Sequence, residues 1–352
     1  MQQKLSTPPA ARPLVLARWL WATAALVVTM VVVGGITRLT ESGLSITEWH
    51  PVSGALPPLT EVQWQAQFAA YQQIPQYTQV NGPAGMTLSA YKYIFFWEWF
   101  HRLLGRLVGL AYGLPLAWFW LRRAIPKGFH RRLLLLLALG GLQGLVGWWM
   151  VSSGLTHDVK VSHLRLATHL LLALTTLAAL VWTALDLQAH ARGIGRARIS
   201  ALGALALGVL ALQLVYGAML AGLRAGPVAG AGWFNWQAWP LMQGSLVPAG
   251  IDWSLGPVHA LLNDPYLVHF LHRWWAWVVV GVLAVVARRL RGLDRRASVV
   301  LHSVLGTQIL LGIATVMSGV TLWLAALHQL TGALLLITTT WCVHTLGHQK
   351  PR

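Results

Sequence analysis

The fold is decided by Glu98-Trp-Phe-His101-Arg102 and by the apolar run that follows it to residue 121. A helix needs about 20 mostly apolar residues to cross the hydrocarbon core of a bilayer, and this run is long enough. A related stretch, His269-Phe-Leu-His272-Arg273, opens a run of the same kind in the second half of the chain. The sequence therefore predicts membrane-spanning helices that recur in related pairs.

Eight apolar stretches define the expected spans when the chain is followed outward from these two runs. They are residues 19–36, 99–121, 133–151, 164–185, 199–223, 267–287, 297–318 and 321–346. The chain of 352 residues is 56% hydrophobic and 10% charged, whereas soluble domains carry about 25% charged residues. This composition excludes a soluble globular enzyme, and it also excludes a disordered or collagen-like chain.

The net charge of +17 has a topological explanation. In a soluble protein such a charge would suggest nucleic acid binding, but cytoplasmic loops of membrane proteins also collect Lys and Arg. The two termini and the loops 122–132, 186–198 and 288–296 hold 18 of the 26 basic residues, all on one side of an eight-span chain. We therefore expect both termini in the cytoplasm, the long loops 37–95 and 224–266 outside, and no nucleic acid partner.

The cysteine content limits the chemistry. Cys342 is the one cysteine, and it lies inside an apolar run. An internal disulfide is therefore excluded, as are a cysteine-ligated metal site and an iron–sulfur cluster.

An internal repeat relates the two halves of the chain. Gln143-Gly-Leu-Val-Gly147 in the third span matches Gln308-Ile-Leu-Leu-Gly312 in the seventh, as the two histidine-containing stretches quoted above match each other. Four spans restore the starting orientation, so the repeats are parallel. We expect an all-α integral membrane fold of two pseudo-symmetric four-helix bundles. The expected segments are 1–18, a bundle 19–186 with outer loop 37–95, a linker 187–198, a bundle 199–346 with outer loop 224–266, and a tail 347–352.

Four histidines lie at repeat-related positions near the outer ends of the even-numbered spans. Ionisable residues within a membrane are costly, and they are therefore functional candidates. One histidine on each of two facing helices forms a bis-histidine haem site, which pairs His101 with His169 and His272 with His328. The alternatives are histidines that only hydrogen-bond between helices and a bare metal ion, for which two histidines per bundle are a thin ligand set. His269 competes with His272, but the repeat alignment and the following arginine favour His272.

Charged residues near the histidines supply further candidates. Glu98 precedes His101 by about one helical turn, which would let its carboxylate exchange a proton there. The alternative is a simple partner for a nearby arginine. Arg102, Arg165 and Arg273 can pair with haem propionates or, alternatively, extend toward the membrane edge.

The chain resembles the heme A synthase family from about residue 15 to residue 345. The motifs that carry the resemblance are Gly34-Gly-Ile-Thr-Arg38-Leu-Thr-Glu-Ser-Gly43, Glu98-x-x-His101-Arg102, Arg165-Leu-Ala-Thr-His169, Trp239-Pro-Leu-Met242, His272-Arg273 and His328-Gln. The outer loop lacks the cysteine pair found in one branch of the family. It resembles the mitochondrial and alphaproteobacterial branch, and a thiol-based redox step is excluded.

The resemblance implies an oxidoreductase that converts haem O to haem A. It implies oxidation of the C8 methyl to a formyl group by successive hydroxylations, with a bound haem b as cofactor. His101, His169, Arg102 and Arg165 would then hold the substrate haem, His272, His328 and Arg273 the haem b, and Glu98 would be catalytic. The implied setting is the bacterial inner membrane, with haem O synthase and a ferredoxin-like electron donor as partners; homo-oligomerisation is left open.

Two rival functions remain at this stage. A cytochrome-b-like electron-transfer subunit would also use two bis-histidine haems, although such relays usually stack their haems across the membrane. A haem carrier or transporter would fit parallel repeats, but it explains the paired histidines at one depth poorly. The presence of haem A in membranes that contain the protein separates the first function from the rivals.

The charge distribution predicts the topology of the two long loops. Single cysteines at Gln79 and Gln243 should react with an impermeant thiol reagent in intact cells, because both loops are expected outside. The unaltered chain serves as the control, since its Cys342 lies within an apolar run. Labelling of the two loop cysteines only after lysis would reverse the topology.

Overall fold

The computed structural model describes residues 11–50, 53–156 and 158–348. Within these residues it is helical, without a β-strand. The α-helices are α1 Pro13–Leu39, α2 Glu61–Tyr71, α3 Leu88–Leu121, α4 His130–Thr156, α5 His163–Ala191, α6 Ala201–Leu223, α7 Pro257–Asn263, α8 Pro265–Leu290, α9 Arg295–Met317 and α10 Leu322–Leu346. Lys4, Lys350 and Arg352, which entered the topology prediction, lie outside the described residues.

The eight predicted spans are confirmed. Eight of the described helices, all except α2 and α7, are long and apolar enough to cross a membrane. The greatest difference is at α3, which begins at Leu88 rather than at residue 99. The side chain of Thr87 caps this helix by accepting a hydrogen bond from the Ala90 N–H at 3.3 Å, so the helix starts well before its apolar run. Glu98 therefore lies within a helix and not at its end.

The helices pack as two sets of four. In the first set α1 contacts α3 and α5, and α4 contacts α3 and α5; in the second set α8 contacts α6 and α9, and α10 contacts α6 and α9. The sets meet where α5 contacts α6 and α10, and where α1 contacts α10. About half of the apolar stretch of α1 and of α5 is buried, whereas only a small part of the apolar stretches of α4 and α9 is buried. The exposed faces of α4 and α9 are apolar, which is what a lipid environment requires.

The two sets approach closely at Gly35 of α1. The amide nitrogen of Gln329 in α10 donates to the Val31 carbonyl oxygen at 2.7 Å. A Cβ at Gly35 would clash with the side-chain amide of Gln329, so a larger residue there would displace the amide from its bond with Val31. An ion pair of 2.7 Å between Arg224 and Glu41 joins the two outer loops nearby.

A buried polar network closes the end of the molecule opposite the four histidines. Asp186 of α5 has a fully buried side chain and accepts hydrogen bonds from Arg132 of α4 and from His344 of α10, the latter at 3.0 Å. The Ala197 N–H also donates to Asp186 at 3.3 Å. One carboxylate therefore links both helix sets and the connection between them.

Replacement of Asp186 should destabilise the protein markedly. Asp186→Ala leaves Arg132 and His344 without their carboxylate partner, and loss of one member of a buried pair costs about 3–5 kcal/mol. We expect the lower end of that range, because Arg132 stays one-third exposed. Thermal unfolding of the detergent-solubilised protein measures the effect.

Glu48→Ala is the matched control. It removes an ion pair with His50 whose side chains are both more than half exposed, and such pairs contribute little. Equal melting temperatures for Asp186→Ala and Glu48→Ala would contradict the importance of the buried network.

Candidate functional site

The C-terminal histidine pair lies at a separation suited to a shared metal. The ring centroids of His272 in α8 and His328 in α10 are 6.4 Å apart, and the rings are nearly perpendicular, at 88°. A metal–imidazole bond is about 2.0 Å long, and the ring centre lies about 1.1 Å beyond the bonding nitrogen. Two imidazoles on opposite sides of one metal therefore have centroids about 6 Å apart, close to the observed value.

The N-terminal pair occupies the equivalent place in the first set of helices. His101 of α3 and His169 of α5 are half-buried like their counterparts, and they lie close enough to interact electrostatically. The structure therefore places all four predicted histidines on the expected helices and brings the members of each pair near one another.

Each of the four imidazoles packs against a glycine of the preceding membrane helix. A Cβ added to that glycine would lie 2.9–3.1 Å from the Cε1 atom of the histidine. The pairs are Gly34 with His101, Gly147 with His169, Gly217 with His272, and Gly312 with His328. Any residue type other than glycine would force the ring to move, so the backbone of one helix fixes the position of each imidazole.

Sequence reasoning missed the glutamine–glycine motif of α6. Gln143-x-x-x-Gly147 and Gln308-x-x-x-Gly312 were recognised as a repeat, whereas Gln213-x-x-x-Gly217 in α6 was not. A search for the same spacing in every span would have found it. The glycine recurs in α1 as well, at Gly34.

Glu98 is buried, with 3% of its surface exposed, and both carboxylate oxygens are hydrogen-bonded. The Ser45 hydroxyl and the Ile46 N–H donate to Oε2 at 2.7 and 2.8 Å. Arg102, one turn further along α3, donates to Oε1 at 2.6 Å. Glu98 therefore anchors the first outer loop to α3, and it also carries an ion pair.

Arg102 and Arg273 bind the outer loops. Arg102 donates to the carbonyl oxygens of Ile46 and Glu48 at 2.9 and 3.0 Å. Arg273 of the second half donates to the carbonyl oxygens of Leu241 and Ala238 at 2.7 and 3.1 Å. Each arginine thus holds the loop that covers its own half, and the Nε of Arg273 is buried without a partner within the described residues.

His269 occupies the position of Glu98 in the second half. Its Nδ1 lies 2.9 Å from the Ala225 carbonyl oxygen, and its Nε2 lies 3.4 Å from Arg273. Both ring nitrogens are engaged, and the ring is not part of the pair formed by His272 and His328. The geometry therefore favours His272 over His269 as a metal ligand.

The remaining predicted arginine, Arg165, lies against α4. It donates to the Trp149 carbonyl oxygen at 2.9 Å and stacks over the Trp149 ring at 4.7 Å. These contacts hold the start of α5 to the end of α4, and they leave open a further contact with a bound anion.

An aromatic cluster supports the first outer loop beneath Glu98. Tyr71, Tyr91 and Phe95 are buried in it, and the Tyr91 hydroxyl donates to the Ser45 carbonyl oxygen at 3.0 Å. Burial raises the pKa of Tyr71 to about 12, so its phenol stays protonated and donates to Gln76 at 3.0 Å. The cluster thereby holds Ser45 next to Glu98.

The residues of the C-terminal half fit a haem with two axial histidines. The pair has the required separation, and no group of three or more His, Cys, Asp or Glu suited to a bare metal ion occurs in the described parts of the chain. The His328 Nδ1 is buried without a hydrogen-bond partner in those parts. Paired imidazoles between membrane helices are the arrangement that a multi-pass, haem-binding membrane protein needs.

Comparisons with known proteins agree with this class. Residues 17–340 match the family model of the cytochrome oxidase assembly proteins, COX15-CtaA. The chain is 66% identical to a heme A synthase of Novosphingobium aromaticivorans, with 96% of each chain covered. It is 55% identical to a heme A synthase of Erythrobacter litoralis, over 94% of this chain and 97% of the relative. The chain therefore belongs to the heme A synthase family, which confirms the resemblance seen in its motifs.

Proposed function

We propose that the protein is a heme A synthase that oxidises the C8 methyl of haem O to a formyl group by successive hydroxylations. The observation that carries the proposal is the pairing of His272 with His328 at 6.4 Å. The heme A synthases that the chain resembles support the choice of reaction.

The two halves have different tasks in this proposal. His272 and His328 hold a haem b in the C-terminal bundle, residues 199–346. His101 and His169 hold haem O in the N-terminal bundle, residues 19–186. When bound, these groups supply the iron-centred redox chemistry. Arg102, Arg165 and Arg273 orient the helix ends and loops around them.

Glu98 is the proposed proton-handling residue. It lies one turn from His101 on α3 and is buried, so solvent does not reach its carboxylate directly. The hydroxyl of Ser45, 2.7 Å from Oε2, is the most direct route for a proton to this carboxylate. The ion pair with Arg102 holds the carboxylate in place beside His101.

The proposed setting is the bacterial inner membrane, with both termini cytoplasmic. The eight membrane helices and the excess of basic residues in the loops on one side support this orientation. Haem O synthase would deliver the substrate, and a ferredoxin-like protein would supply electrons.

Loss of either C-terminal histidine should abolish the haem b signal. His272→Ala or His328→Ala removes one of the two imidazoles, and the low-spin absorption spectrum of the purified protein should disappear. His269→Ala is the matched control on the same helix, and it should retain that spectrum, because His269 hydrogen-bonds to Ala225 and Arg273. Loss of haem from His269→Ala, with the spectrum of His272→Ala intact, would reassign the ligand.

Glu98→Gln should block the reaction while haem b stays bound. In a host that makes haem O but lacks haem A, the wild-type chain should yield haem A in extracted membranes. The amide that replaces the carboxylate cannot exchange a proton in the same way, so haem O or a hydroxylated product should accumulate instead. Chromatography of the extracted haems measures the outcome, and Glu98→Asp should retain part of the activity.

Glu61→Gln is the control for a lost acid in the same outer region. Glu61 pairs with Lys92 at 3.2 Å, and its side chain is 64% exposed. The haem A yield of Glu61→Gln should therefore equal that of the wild type. Normal yield from Glu98→Gln would reduce Glu98 to a structural ion-pair partner. Wild-type membranes without haem A would contradict the proposed function and favour a cytochrome-b-like electron-transfer subunit.

A further inference from the structure

Three of the four histidines are in contact with a glutamine on the neighbouring helix. The Gln143 Nε2 donates to the His169 carbonyl oxygen at 3.0 Å and lies 3.1 Å from the ring Nδ1. The Gln213 Nε2 makes the same two contacts with His272, at 2.9 and 3.1 Å. The Gln308 Nε2 lies 3.4 Å from the Nε2 of His328. Each glutamine precedes by four residues the glycine on which the histidine packs.

The fourth histidine lacks this partner. The residue four positions before Gly34 is Met30, and no hydrogen bond joins the His101 ring to any residue that the structure describes. The positions are equivalent in space as well as in sequence. A Cβ at Gly105, four residues after His101, would lie 3.4 Å from the Met30 methyl; a Cβ at Gly332, four residues after His328, would lie 3.3 Å from the Gln308 Nε2.

The three glutamines also share an unused acceptor. The Oε1 atoms of Gln143, Gln213 and Gln308 are buried and have no hydrogen-bond partner within the described chain. Burial of an unpaired acceptor is costly, and its occurrence at three repeat-related positions suggests a common purpose. An imidazole that ligates iron through Nε2 carries a proton on Nδ1. A smaller turn of the amide, which keeps the bond from Nε2 to the histidine carbonyl oxygen, brings Oε1 of Gln143 and of Gln213 toward Nδ1, where the oxygen can accept that proton. Gln308 approaches the other ring nitrogen of its histidine.

Such a bond strengthens a metal ligand. A hydrogen bond from the free ring nitrogen fixes the orientation of the imidazole and raises its basicity, and its loss typically costs 10–100-fold in metal affinity. A thioether is at best a weak acceptor, so Met30 cannot replace the amide. His101 and His169 are therefore unequal, although the repeat makes their positions alike.

We propose that Gln143 and Gln213 are positioning residues for His169 and His272, that Gln308 occupies the equivalent place beside His328, and that His101 is the weaker, exchangeable ligand of the substrate site. The inference rests on the proposed function, because it concerns haem bound at His101 and His169. Two firmly bound axial histidines leave iron no open position for a small molecule. Because Met30 stands where the other helices have glutamine, His101 can dissociate and open a position on the α3 side of the substrate site. The other site keeps both its ligands.

Carbon monoxide binding tests the inequality directly. Purified protein from a host that makes haem O is reduced with dithionite and mixed with carbon monoxide, and absorbance follows binding. The substrate haem of the wild type should bind carbon monoxide, while the haem at His272 and His328 should not. Met30→Gln supplies the missing amide, and it should slow binding about tenfold or more. Thr29→Gln places the same amide on the exposed face next to it, and it should leave the rate unchanged.

Haem content gives a second measurement that does not depend on the fold of Met30→Gln. His101→Ala should keep haem in the substrate site as a five-coordinate, high-spin species. Its ligand would be His169, which Gln143 holds in position. His169→Ala should lose it, because only the weaker ligand remains. The optical and electron paramagnetic resonance spectra distinguish the two states.

The outcomes separate the inference from the proposed function. Equal carbon monoxide rates for Met30→Gln and Thr29→Gln, with normal haem content, would overturn the inference alone. So would retention of haem by His169→Ala and its loss from His101→Ala. A wild-type protein without haem in either half would overturn the proposed function as well.

Discussion

The close contact between each histidine ring and a glycine backbone sets the geometry of the site. A Cβ at any of these four glycines would approach the imidazole to about 3 Å, so the helix that carries the glycine and the helix that carries the histidine can approach only because the side chain is absent. Small residues have the same effect at other helix contacts in membranes, where backbones must approach closely for packing to be favourable. The ring positions follow from this contact, and the separation of His272 from His328 follows from the ring positions.

The outer loops depend on a second pairing that is repeated with different chemistry. In each half, a residue one turn before an arginine contacts that arginine, which in turn binds loop carbonyl oxygens. The first half uses Glu98 with Arg102, and the second uses His269 with Arg273. A carboxylate and an imidazole thus occupy the same place in two otherwise similar scaffolds. The first half therefore holds a charged ion pair next to its histidine, whereas the second half has an imidazole in place of the carboxylate.

The eight spans and the histidine helices could be predicted because lipid imposes a simple requirement, a continuous apolar run. The start of α3 could not, because apolar counting does not register the Thr87 cap or the aromatic cluster that buries Tyr91. The pairing of Glu98 with Arg102 was an open alternative, and only the structure showed that both carboxylate oxygens are bonded. The network of Asp186, Arg132 and His344 joins residues more than 150 positions apart in the chain, and no local pattern signals it. The glutamine at Gln213 was visible in the sequence, but its meaning emerged only from its contact with His272.

The location of that network also constrains the order of biosynthesis. Asp186 lies in the C-terminal part of the fourth membrane helix, while His344 lies in the last turn of the eighth. During synthesis the N-terminal four helices can pair Asp186 with Arg132, but His344 arrives only with the eighth membrane helix. Until that helix docks, the chain carries a carboxylate that lacks one of its hydrogen-bond donors, and membrane quality control that senses exposed polar groups would recognise it.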